Sequence, residues 1–160
     1  MSDTNTSSDT GTTDEIELGE ITYTRIMRAP RELVFECMTT PEHLTHFWGP
    51  KGAHTPLDKI TVDLRPGGVF ETIMVNDETG EEYPMRGVFV EVVVPERLVF
   101  TEPGPAGGMT TAITFTDLGD GTTQTITHQT NIPTMFLNPE AQAGMQSSFV
   151  KFDEYIATLV

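Results

Sequence analysis

From Ile16 to Arg28 apolar and polar residues alternate imperfectly, in a stretch rich in Ile, Thr and Tyr. A period of two predicts a strand. Ala29-Pro30 ends it, because proline brings no donor to a ladder, and Pro30 suits the first position of a helix. Leu33, Val34, Phe35 and Met38 give that helix its apolar side. Thr40-Pro41-Glu42 places a capping side chain, a proline and an acid at the start of a second short helix. Its apolar side is Leu44, Phe47 and Trp48, and Gly49-Pro50 stops it. Strands then follow one another. The first covers 57–64, with Ile60, Val62 and Leu64 on one face, and the tight turn Arg65-Pro66-Gly67-Gly68 leads into 69–75. Asp77 to Gly80 turns the chain into 82–94, and Pro95-Glu96 into 97–102. Pro103 to Gly108 reads as a loop. The strands 109–117 and 121–130 are joined by Leu118-Gly119-Asp120-Gly121, a hairpin signal. Asn138-Pro139-Glu140 opens the last element, in which Ala141, Met145, Phe149, Phe152, Ile156 and Leu159 recur at helical spacing. At 1.5 Å per residue that helix is roughly 30 Å long, enough to cross a sheet.

Strands grouped apart from helices indicate an α+β fold. Short connections favour an antiparallel meander of about seven strands, which twists and curls. The terminal helix covers the concave side, with two short helices after the first strand. Gly144, Ser147 and Ser148 are small and stand near the start of that helix. Incomplete filling there predicts a cavity between sheet and helix, the usual setting of an apolar ligand site.

Several segments, taken in order, carry a resemblance. They are Arg25…Ala29-Pro30…Val34-Phe35, Thr40-Pro41-Glu42-His43-Leu44…Phe47-Trp48-Gly49-Pro50, Asp63-Leu64-Arg65-Pro66-Gly67-Gly68…Phe70, Gly87…Glu91…Pro95-Glu96-Arg97-Leu98-Val99-Phe100-Thr101, and Gly121-Thr122. Together they resemble the single-domain homologues of the activator of heat-shock protein 90 ATPase, within the START-related, Bet v 1-like (SRPBCC) superfamily. The resemblance covers residues from about 20 to 159. It implies the helix-grip fold, a curved antiparallel sheet around a long C-terminal helix. It also implies binding of apolar small molecules, and in some members cyclisation or similar catalysis. Many relatives carry a tryptophan just before the apolar stripe of the last helix, where this chain has Gly144-Met145-Gln146. A wider or softer pocket mouth is expected from that change.

Strand and helix parity group Trp48, Phe70, Met74, Tyr83, Met85, Phe89, Phe115, Met145 and Phe149, with Ile113 beside Phe115, as residues that could line one cavity; an ordinary packed core is the competing reading, and the architecture favours the pocket. Methionines and aromatics make adaptable apolar walls. His128 shares a face with Ile126, and Glu91 shares one with Tyr83, Met85, Gly87 and Phe89. These two are the polar candidates, either to orient a ligand or to serve as base and acid in a cyclase- or hydrolase-type enzyme. A structural role for Glu91, paired with Arg86 or Arg25, is the competing reading. His43 and His46 stand three apart on the second helix with Glu42 nearby, without an identifiable third metal ligand, so no metal is assigned. His54 reads as loop surface. Cys37 reads as a buried, inert thiol, since no base pairs with it in the sequence. Arg65 ties its turn through a carboxylate. No nucleophile elbow, phosphate loop or dinucleotide fingerprint is present, and no cofactor is expected.

Composition narrows the partners. The chain has 160 residues, one domain by length, with 24 acids against 9 Lys+Arg and a net charge of −15. Nucleic acid and anionic membranes need basic surface, so neither is an expected partner. A single cysteine excludes an internal disulfide. The Ser-, Thr- and Asp-rich residues 1–17 cannot bury enough surface to order and read as a disordered acidic tail before a domain over 18–160. Its charges account for only part of the acidity. The acidic, lysine-poor body fits either a salt-adapted host or an ordinary acidic bacterial protein. No apolar run reaches the ~20 residues of a membrane span, and no secretory signal opens the chain. The expectation is a soluble cytoplasmic monomer or homodimer that binds an apolar small molecule. An enzyme on the same cavity is the alternative, and a chaperone-partner module stands third.

Overall fold

The computed structural model describes residues 16–160. The acidic tail expected over 1–17 falls almost wholly outside them, although the Glu17 carbonyl accepts from the Thr134 amide at 2.9 Å. The first strand, β1 (Leu18–Met27), runs into two short helices, α1 (Arg31–Thr39) and α2 (Pro41–Leu44). Strands β2 (Ala53–His54), β3 (Thr61–Val62), β4 (Val69–Asn76), β5 (Glu82–Val93), β6 (Arg97–Glu102), β7 (Met109–Gly119) and β8 (Thr122–Pro133) follow. The chain ends with α3 (Pro139–Ala157). All pairings are antiparallel, in the order β1-β8-β7-β6-β5-β4-β2, with β3 also on β4. The α+β helix-grip fold is thus the one the pattern predicts, with α3 laid across the curled sheet.

Local chemistry accounts for most boundaries. Asp120 and Gly121 both have positive φ, +55° and +72°, the two left-handed positions that a tight hairpin between right-twisted strands requires. A Cβ on Gly68 would lie 2.0 Å from the Asp63 carbonyl oxygen, so the turn before β4 closes only around glycine. Arg65 clasps Asp63 there, Nη2 to Oδ2 at 2.9 Å. Asn138 caps α3 by accepting from the Ala141 amide at 2.8 Å.

Four expectations need correction. The stretch 57–64 is not one strand: Pro56 opens a 3₁₀ turn at Leu57–Lys59, and only Thr61–Val62 pair. Ile60 is buried but Leu64 is exposed, so that face is broken. Thr40 caps α2 through its carbonyl, which accepts from His43 and Leu44, and not through its side chain. Pro30 stands at the cap of α1 rather than inside it. The apolar stripe of α3 is buried only at Phe152 and Ile156; Met145 and Phe149 are half-buried, and Ala141 and Leu159 are exposed.

The core lies at one end of the concave face. Met27, Phe70, Phe89, Leu98, Phe100, Ile113 and Phe115 rise from the sheet against Val34, Phe35, Leu44, Phe47, Phe152 and Ile156. Phe47 stacks on Phe152 at 4.0 Å, and Phe35 meets Phe115 edge-on at 5.1 Å. Phe70 touches Trp48, Phe89 and Phe100 with centroids 5.0–5.4 Å apart.

Candidate functional site

Register sorts every strand residue onto one of two faces, because directly paired residues of antiparallel neighbours share a face. Arg25, Thr125 and Phe115 pair across three strands, as do Tyr23, Thr127 and Ile113. Leu98 pairs with Ile113, Phe89 with Phe100, Phe70 with Gly87, Thr72 with Met85 and Met74 with Tyr83. This is the concave face, under α3. Its two ends differ. At the lower end Met27, Phe70, Phe89, Leu98 and Phe115 keep 2% or less of their surface accessible. A void able to admit water would leave accessible surface on its lining, so these side chains are packed core. At the upper end Ile21, Tyr23, Met74, Met85, Glu102, Met109, Thr127 and Gln129 are only half-buried. The N-terminal half of α3, with Met145 and Phe149, lies over this end.

The predicted pocket residues therefore divide. Trp48, Met74, Met85, Met145 and Phe149 are half-buried, and Tyr83 stands at the rim, 41% exposed, donating to Glu81 at 2.8 Å. Phe70, Phe89 and Phe115 are the packed floor, with Ile113. His128 does not join them. It pairs with Thr22 and Ala112, on the convex face, and its Nε2 meets Glu20 Oε1 at 2.6 Å in solvent. On β8 the inward side chains are Thr123, Thr125, Thr127 and Gln129, so Ile126 faces outward with His128. Glu91 does not join them either. A bulge between Phe89 and Glu91 inserts Val90, which reverses the parity, so Glu91 pairs with Val99 on the convex side. Its partner is Arg97, at 3.0 Å, and neither Arg86 nor Arg25. The acid–base pair needed for the enzyme reading thus lies outside the concave face.

The polar group that sequence reasoning passed over is Glu102. It follows Leu98 and Phe100 at intervals of two, pairs with Met109, and so points inward. Burial pushes its carboxyl up from the ordinary range, and among the described residues no hydrogen bond or neighbouring charge offsets that. The plain alternation of β6 carried this signal. The hydroxyl of Thr72, 1% exposed, also lacks a partner in the same wall.

The edge strand β1 and α3 enclose a second feature. An open groove of about 430 Å³ runs there, lined by Thr22, Tyr23, Thr24, Arg25, Ile26, Gln146 and Phe149. Arg25 anchors the helix above it, with Nη2 2.6 Å from Asp153 and its guanidinium 4.4 Å over the Phe149 ring. Tyr23 meets Phe149 edge-on at 5.2 Å. On the other side Lys151 Nζ donates to the carbonyls of Gly49, Pro50 and Ala53 at 3.1–3.4 Å, and Ser148 donates to Phe47. Gly144 faces the same loop, where a Cβ would make ordinary van der Waals contact with Pro50 at 3.6 Å.

With this sheet and helix in view, the matching family is decided by its extent. The model of the activator of Hsp90 ATPase homolog 1-like proteins matches residues 28–157. The chain belongs to that family. Solved structures of the same fold include a Nitrosomonas europaea protein, 25% identical, covering 87% of this chain and 94% of that one at TM-score 0.76. A Chromobacterium violaceum protein is also 25% identical, covering 85% and 96% at TM-score 0.76. A family protein from Silicibacter pomeroyi is 20% identical, covering 89% and 100% at TM-score 0.74, a likeness of fold alone. No curated protein matches the chain. No helix among the described residues is long and apolar enough to cross a membrane.

The remaining histidines serve structure within this family domain. His43 Nδ1 is 2.6 Å from the Tyr155 hydroxyl, and His46 stacks on the same ring at 4.6 Å. His54 pairs with Asp77 at the β2 edge. Cys37 is fully buried on α1, and burial with nearby Glu36 pushes its thiol up to about 12.

Proposed function

We propose that this activator-homologue domain binds an apolar small molecule between the upper concave face and the N-terminal half of α3. One observation carries the reading. The concave face is sealed at its lower end and half-open at its upper end, where Met74, Met85, Met145, Phe149 and Trp48 present apolar surface. Apolar burial supplies the affinity, at ~25 cal/mol per Å² before ordering costs. Unbranched methionines let the wall fit more than one shape. The family's habit of holding hydrophobic ligands agrees with this, and Phe149 is shared between this face and the open groove along β1.

Native mass spectrometry of the protein purified without denaturant, followed by organic extraction, tests the reading. The expected result is a stoichiometric extra mass that leaves with solvent, or saturable uptake of decanol at one per chain by the bare protein. A bare polypeptide mass together with no saturable decanol binding overturns it. The same spectrum reports whether the protein is a monomer or a homodimer.

A further inference from the structure

Every acid of the strands that makes an ion pair does so in solvent. Glu91 meets Arg97 and Glu20 meets His128, both on the convex face. Glu102 is different. It stands on the concave wall, paired with Met109 on β7, one position beyond the last β5–β6 pair, Val88 with Thr101, toward Gly87 and half-buried Met85. Gly87 offers no side chain to cover it, and a Cβ there would press within 3.3 Å of the Phe70 and Thr101 carbonyls. The carboxylate has no hydrogen-bond or charged partner among the described residues. A half-buried carboxylate in an apolar wall is costly unless a donor meets it.

The other charges around the upper face do not supply that donor. Arg25 is committed to Asp153 and covers the Phe149 ring. Lys151 is committed to the three carbonyls of the 49–53 loop. At the rim, Tyr83 holds Glu81, a second carboxylate. The whole chain carries −15, so its field draws cations and repels anions.

We propose that Glu102 is the polar anchor of the site and that the ligand is a cationic amphiphile, an apolar body carrying a protonated amine. This rests on the apolar-binding reading above and adds the chemistry of the ligand's head. The amine pairs with Glu102 while the body lies along Met85, Met74 and Phe149. A fatty acid would place a second carboxylate beside the first, and an alcohol would supply a weaker, uncharged donor.

Decylamine, decanol and decanoate, each below its micelle concentration, are titrated at pH 7.5 by calorimetry and by the fluorescence of Trp48. The proteins are the wild type, Glu102→Gln, and Glu78→Gln, which removes the same charge from an exposed turn. Decylamine is expected to bind one per chain, at least tenfold tighter than the other two. Glu102→Gln loses that preference and leaves decanol within twofold; Glu78→Gln changes neither. In the wild type, decylamine binding weakens as pH falls and Glu102 takes up its proton, while decanol binding stays flat, which tests the anchor without any variant. Equal binding of decanol or decanoate, or full decylamine affinity in Glu102→Gln, overturns the anchor and leaves the apolar site standing. No binding of any of the three overturns both.

Discussion

Replacing Arg25 by leucine probes the joint on which the site depends, the attachment of α3 to the edge strand. Arg25 is 16% exposed and makes three contacts there. Nη2 reaches Asp153 at 2.6 Å and the Phe149 carbonyl at 3.4 Å, and the guanidinium lies 4.4 Å over the Phe149 ring. A hydrogen bond between charged partners contributes ~1.5–3 kcal/mol when shielded. Asp153 is 51% exposed, which moves the pair toward the surface value, so about 1 kcal/mol remains. The cation–π contact adds ~0.5–1 kcal/mol. Packing of the aliphatic stem, only partly replaced by leucine, adds roughly another 0.5–1 kcal/mol. Arg25→Leu should therefore lose about 2.5 kcal/mol, read by urea denaturation, and lower Tm by roughly 5–10 °C for a chain of this size. Double-mutant cycles remove the effect of net charge. Arg25→Leu with Asp153→Ala should couple by about 1 kcal/mol, and with Phe149→Leu by about 0.5 kcal/mol. Molar salt should shrink the first coupling and spare the second. Couplings below ~0.3 kcal/mol in both cycles would refute the claim that Arg25 holds the helix over the groove.

Three further outcomes test other parts of the structure. Phe70→Ala empties sealed core and should cost about 4 kcal/mol, whereas Met85→Ala on the half-open face should cost less than about 2 kcal/mol; equal costs in urea would contradict the two-ended concave face. The Cys37 thiol is raised from 9.0 to about 12 with the side chain fully buried, so the folded state keeps a proton that the unfolded state loses. Its stability contribution is thus complete below pH 9 and is lost as pH rises toward 12. Compared with Cys37→Ala, the wild type should lose about 1.4 kcal/mol by pH 10 and about 4 kcal/mol by pH 12, and thiol reagents should modify it only on unfolding. Burial raises the Glu102 carboxyl, so the folded state binds its proton more tightly than the unfolded state and stability is lost as pH rises through its titration. Without ligand, Glu102→Gln should be more stable than the wild type at neutral pH in urea, with the difference shrinking as pH falls and the carboxyl takes up its proton; a variant less stable at neutral pH would mean that the carboxylate has a protein partner.

The strand and helix elements were largely legible because their signals are local. The turn at Asp120-Gly121, the cap at Asn138 and the repeat from Met145 to Ile156 each lie within a few residues. β2 left no trace, since two residues carry no period. The polar half of the site was misread for two definite reasons. On β8, His128 could face the pocket only if its face-mate Ile126 did, yet the inward positions are Thr123, Thr125, Thr127 and Gln129; the bulk on that face comes from Phe115 and Ile113 on β7. On β5, strict alternation put Glu91 on the pocket side, and the bulge at Val90 turned it over. A single inserted residue reverses every side chain beyond it. Glu102 needed no bulge, only the parity of Leu98 and Phe100.

The sequence by itself determined the helix-grip order of elements, the family, the acidic surface and the apolar stock of the concave face, because these depend on composition and short-range period. The outward turn of Glu91, which histidines stay in solvent, and where the face is sealed or half-open were decided by tertiary structure. The pairing of β1 with β8 and the reach of α3 across the sheet are set by contacts between residues more than 100 positions apart, such as Thr22 with His128 and Arg25 with Asp153, and no local pattern encodes them.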